Sequence, residues 1–197
     1  MKMIKLVTME VIKMLCFLYC KHIIQIHLLY FNILECVGPL RPKVVHQSTV
    51  AHNGNYPASS VLVFKEPDGE LVNSVNRRHN YWMAEQGKTT GQDFTVRVDD
   101  CARMIVGVEI KNARNAHECA TDEFNVFASL NEEGPWEKVV DSFLRDTVNE
   151  AAELLTFTFE QPMKLKYLKF ELISYHGKGG GLQYFAAIPA SEYGWGR

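Results

Sequence analysis

The stretch KYLKFELISYHGKGGGLQYFAAI, Lys166 to Ile188, is the most informative in the chain. Leu168, Phe170 and Leu172 fall on one face, with Lys169 and Glu171 on the other. That period of two marks a half-buried strand. His176 to Gly181 breaks the pattern, because four glycines in six residues give no side-chain packing and permit positive φ. Leu182 to Ile188 then reads as a second apolar strand, stopped by Pro189. The pair is expected to form a β-hairpin-like ending that completes a sheet built by the rest of the chain.

Toward the N-terminus, Leu155, Phe157 and Phe159 alternate with Thr156 and Thr158, and Pro162 is expected to end that strand. Glu123 to Ser129 reads as a strand, followed by a turn over Asn131 to Pro135 that Trp136 closes. Phe94, Val96 and Val98 form another alternating set, as do Val106, Val108 and Ile110. Val44 to Val50 suits a short first strand, and Ala58 to Phe64 is a short apolar segment. Asp141 to Leu154 is mixed: NEAAELL holds helix formers, while its neighbours favour a strand and loop. Several short strands without intervening helices indicate an antiparallel sandwich or barrel. Lys65 to Asn80 and Asn112 to Thr121 are long polar loops, and loops of that length are often functional.

With 47% hydrophobic and 22% charged residues in 197, the composition supports one ordinary core plus an extra segment. The formal charge is -2, and about -4 once the first 37 residues are set aside, so nothing indicates nucleic-acid binding. Met1 to Cys36 differs in composition from the rest of the chain, with CFLY, HIIQIHLLYFNIL and three of the five cysteines. A basic start before an apolar stretch resembles a secretory signal, although Lys13, Lys21, His22 and His27 interrupt the apolar run. Residues 1–37 are therefore expected to be a signal peptide, a hydrophobic leader or anchor, or the product of a wrong start. The folded domain is expected over residues 38–197.

Taken in order, YPASSVL (56–62), NYW (80–82) and GQDFTVRVDDCARMIVGVEI (91–110) resemble the first half of the discoidin, or coagulation-factor type C, domain. ATDEFNVFASLNEEGPW (120–136) and FTFEQPMKLKYLKFELISYHGKGGGLQYF (157–185) are similar to its later strands. The resemblance implies an all-β, eight-stranded jelly roll of the galactose-binding type, in a family of mostly extracellular, non-catalytic modules. It also implies that ligands meet loops at one end, here Glu66 to Asn80, Asn112 to Thr121 and Tyr175 to Gly181. Many galactose-binding jelly rolls hold a structural calcium. That is left open, with Asn53, Asp68 or Glu192 as oxygen donors and no other cofactor expected.

On those loops Arg77, Arg78, His79, Arg114, His117, Tyr175, His176 and Lys178 are the candidate ligand-binding residues. Arginine offers a planar fork of donors for hydroxyls or carboxylates, and histidine donates or accepts. The competing reading makes them solvated cations paired with Glu66, Asp68 or Glu118. Trp82, Trp136, Tyr81 and Phe185 read as packing residues. His117-Glu118-Cys119 has metal-ligand residue types, but three adjacent residues cannot easily surround one zinc. No catalytic set emerges.

Cys101 and Cys119 flank the strand at 104–111, whose eight residues span about 26 Å. Bridged α-carbons lie roughly 4–7 Å apart, so these two are expected not to pair with each other. Were they the only cysteines left after cleavage, both would be free thiols, which argues against export.

The expected function is a non-enzymatic, extracellular recognition module for a glycan or glycoprotein, lectin-like or adhesive. The alternative is a protein–protein adaptor on the same fold, intracellular or tethered to a membrane by the N-terminal segment. Membrane contact is otherwise not expected, because the first loop carries only Leu71 and Val72 at its tip. Oligomerisation would add avidity to a shallow site.

Overall fold

A computed structural model describes residues 21, 38–48, 56–62, 64–65, 71–72, 82–88, 91–113, 119–144 and 154–191. The chain divides into two compact units, Met1–Pro39 and Leu40–Arg197. The second unit carries the strands. Its first half holds β1 (Lys43–Gln47), a 3-10 turn (Ala58–Val61), β2 (Phe64–Lys65), β3 (Leu71–Val72) and β4 (Trp82–Met83). Next come β5 (Gln92–Arg97), β6 (Arg103–Asn112), β7 (Cys119–Thr121), β8 (Glu123–Ser129) and β9 (Glu137–Phe143). β10 (Leu154–Leu165), β11 (Tyr167–Leu172), β12 (Tyr175–Gly177) and β13 (Gly181–Pro189) complete it.

Two antiparallel sheets carry the fold. One has the order β1-β5-β11-β8-β9, the other β10-β6-β13-β4. They face each other as a jelly-roll sandwich, with β12-β7 and β2-β3 as two-stranded additions. Among the described residues the two main sheets hold nine strands rather than eight, β4 being only two residues long.

The alternation read from the sequence explains the core. Phe94, Phe124, Phe170, Leu168 and Leu172 from the first sheet are buried, as are Ile110, Leu182 and Phe185 from the second. Phe170 stacks on Phe94 at 5.2 Å and on Phe124 at 5.4 Å. Trp82 sets its edge against Phe94 at 5.1 Å, and Phe185 does so at 5.4 Å. Such pairs add to the area they bury, by about 0.5–1.5 kcal/mol each. The alternate residues face outward, where Asn125 Nδ2 donates to Glu171 Oε2 at 3.1 Å.

Several expectations are corrected. β11 and β13 do not form a hairpin. β11 pairs with β5 and β8 in one sheet, and β13 pairs with β6 and β4 in the other. The glycine-rich segment crosses between sheets because both strands already have two partners. Pro162 does not end its strand either. It sits where β10 shifts register between Thr158 and Met163, on a sheet edge, where a residue without N–H is tolerated. The polar stretch 65–80 contains β3, paired back on β2. β9 begins at Glu137, earlier than the mixed segment from Asp141 suggested. Its weak alternation reflects an edge strand with one buried residue, Val140.

Candidate functional site

β11 ends at Leu172, opposite Gln92 of β5 and Phe124 of β8. That end of the sandwich gathers residues 173–181, 119–122, 84–88, 91–92 and 112–113. Backbone hydrogen bonds tie them: Ala84 N donates to Gly180 O at 2.9 Å, and Gly87 N to Lys178 O at 3.1 Å. β12 pairs with β7, placing Tyr175 opposite Thr121 and His176 opposite Ala120. Two segments distant in sequence thereby become one rigid platform.

Buried polar side chains fix its base. Asn112 Nδ2 donates to Thr121 O at 2.8 Å, while its Oδ1 accepts from Thr121 N at 3.0 Å and Ala113 N at 2.9 Å. Thr121 Oγ1 donates to Gly181 O at 2.9 Å, joining β7 to β13. Ser174 Oγ accepts from Glu123 N at 3.1 Å and donates to Asp122 Oδ2 at 3.4 Å. Gly180 passes so close to the core that a Cβ there would collide with the Leu172 side chain. The crossover can follow this path because the residue at position 180 is glycine.

Of the candidate residues, Tyr175, His176 and Lys178 lie together on β12 and the turn after it. His176 and Lys178 are exposed; Tyr175 is half-buried and packs against the core. Tyr175 is therefore not a free-standing platform: its ring leans on the core. Arg77, Arg78, His79, Arg114 and His117 lie outside the described residues, as do Asn53, Asp68 and Glu192. Asp122 was missed by the sequence reading. Its Oδ1 lies 3.4 Å from His176 Nε2, making it an ion-pair partner when the imidazole is protonated. No sequence pattern links residues 122 and 176; only the β7–β12 pairing does. Asn112, which read as the first residue of a loop, ends β6 and anchors that loop instead.

Trp82 and Phe185 are core residues, as expected, whereas Trp136 is half-buried beside Lys169. Among the described residues no three His, Cys, Asp or Glu side chains cluster as metal ligands. No helix among them is long and apolar enough to cross a membrane. Cys101 is disulfide-bonded, so it is not the free thiol expected if it and Cys119 were the only cysteines left.

The two facing sheets define the galactose-binding-like, discoidin-type jelly roll. A comparison with protein-family models finds no match, and one with curated protein sequences finds none either. Solved structures do match. The chain is similar to the third family 32 carbohydrate-binding module of a family 31 glycoside hydrolase from Clostridium perfringens. Identity is 18% and the TM-score 0.55, covering 75% of this chain and 90% of that one. A second similar structure is the family 32 module of C. perfringens NanJ, in complex with galactose. It is 16% identical, with a TM-score of 0.52 and coverage of 75% and 92%. The C-terminal domain of a chitobiase from Bacteroides fragilis matches at 12% identity and a TM-score of 0.53, covering 75% and 93%. At such identities the likeness is one of fold.

Proposed function

We propose that this protein is a non-catalytic recognition module that binds a glycan, free or on a glycoprotein, through the loop end of its sandwich. One observation carries the reading: β12 and β7 hold His176, Lys178 and Asp122 on a platform whose base is fixed by buried hydrogen bonds. Ammonium, imidazole and carboxylate together supply donors and acceptors suited to sugar hydroxyls. Arg77, Arg78, His79, Arg114 and His117, which lie outside the described residues, belong to the proposed set by sequence alone. The fold likeness to carbohydrate-binding modules, one of them solved with galactose, supports this ligand class.

On this reading the module works outside the cell, free or membrane-anchored. A disulfide at Cys101 supports an oxidising compartment and removes an argument for the intracellular adaptor. The test is a glycan-array screen of the multimerised protein, with calcium and again with chelator. Selective binding lost in the His176→Ala, Lys178→Ala double variant is the expected result. A folded protein that binds no glycan in either condition would overturn the reading.

A further inference from the structure

Tyr167, at the start of β11, pairs with Ser129 at the end of β8, which puts the β8–β9 turn at the end of the sandwich opposite the platform. There the turn and the last residues of β10 line an open pocket of about 390 Å³. Trp136 lines it and is held from two sides. Lys169 Nζ lies 5.1 Å from the centre of the indole and 4.8 Å from that of Phe127. Gly134, at φ +96°, leaves room for the indole: a Cβ there would stand 2.9 Å from Trp136 Cδ1. Pro135 and Met163 continue the apolar lining, while Asn131, Glu137 and Lys164 are exposed around it.

This lining selects a ligand chemistry. An indole and an aliphatic wall suit the C–H face of a saturated ring. An amide, a carboxylate and an ammonium can bond hydroxyls at its edge. Glu137 and Lys164 carry opposite charges at the rim, and Lys169 adds a second cation against the indole. The volume is that of small-molecule sites, which run about 300–1,000 Å³.

We infer that this pocket is a second saccharide site, in which a sugar ring packs on Trp136 and is hydrogen-bonded by Asn131, Glu137 and Lys164. It shares the ligand class of the proposed function but does not need the loop end to bind.

The test is a titration of the isotope-labelled full chain with galactose and with N-acetylglucosamine, followed by amide and indole NMR shifts. Saturable shifts of the Trp136 indole N–H and of the Asn131 and Lys164 amides are expected. The Asn131→Ala, Lys164→Ala double variant should weaken that dissociation constant by about tenfold or more. It should leave any shifts at His176 and Lys178 unchanged. Both substituted residues are exposed, and an unchanged unfolding midpoint confirms that the variant is folded. Shifts confined to residues 175–178 would sink the second site while upholding the loop end. Shifts confined to the Trp136 end would uphold it and leave the loop end to the glycan-array screen. No shifts with either sugar, or shifts that the double variant leaves intact, would also overturn it.

Discussion

Asn112 and Thr121 grip each other twice: the Asn112 amide donates to the Thr121 carbonyl at 2.8 Å and accepts from the Thr121 N–H at 3.0 Å. Both residues are buried, so no water replaces a lost partner. Asn112→Ala removes a partner from three backbone groups, Thr121 O, Thr121 N and Ala113 N, at about 1–3 kcal/mol for each one left unsatisfied. Urea unfolding should show a loss of roughly 2–4 kcal/mol, and hydrogen exchange at the Thr121 amide should accelerate by more than the global loss explains. Equal acceleration throughout the protein would show that the loop base is not a separate unit.

His176 and Lys178 should behave in the opposite way. Both are exposed, so alanine at both positions should change stability by under about 0.5 kcal/mol. Glycan affinity should nevertheless fall. Thermal unfolding and a binding titration on the same sample separate the two effects. A variant that loses stability and binding in proportion would assign these residues a structural role.

Asp99 and Arg103 form a tight pair, with Oδ2 and a guanidinium nitrogen 2.6 Å apart and side-chain exposures of 3% and 11%. Asp99 Oδ1 also accepts from Asp100 N at 2.8 Å. Arg103→Ala leaves a buried carboxylate without its cation, which typically costs about 3–5 kcal/mol. The double variant Asp99→Asn, Arg103→Ala should recover part of that loss. Denaturant midpoints for the four proteins of this cycle give the coupling, and a coupling near zero would refute the pairing.

Gly180→Ala should be destabilising although the change adds one methyl group. The new Cβ would collide with Leu172, a core residue with 1% exposure. Overpacking of this kind costs about 1–3 kcal/mol. Leu172→Val in the same chain should offset part of the cost, as read from unfolding midpoints. A stable single variant would mean that the crossover does not pass this close to the core.

Cys101 should be oxidised in protein prepared without reductant, so mass mapping of a non-reduced digest should find it in a cross-linked peptide. Reduction should lower the unfolding midpoint, since a removed native disulfide typically costs about 2–5 kcal/mol. Cys101 recovered only as a free thiol would withdraw the support it gives to an extracellular setting.

Strands with one buried face were legible along the chain. Phe94–Val98, Val106–Ile110 and Leu168–Leu172 alternate because one face of each carries the apolar residues of the core, although Thr95 and Gly107 on the other face are buried as well, and that pattern is local. The order of motifs carried the jelly roll as well. Which strands pair was settled by the folded chain. Leu168–Leu172 and Leu182–Ile188 look like hairpin partners in sequence, yet each is claimed by two strands from elsewhere. β9 and Pro162 escaped the reading because edge strands bury little and tolerate a missing N–H. At the candidate site, Tyr175, His176 and Lys178 were legible as polar residues beside glycines. Asp122 and Asn112 were not, because what they contribute is a contact across 54 and 9 residues of chain. Such a contact has no local signature; it exists only once the β7–β12 pairing and the end of β6 bring those backbones together.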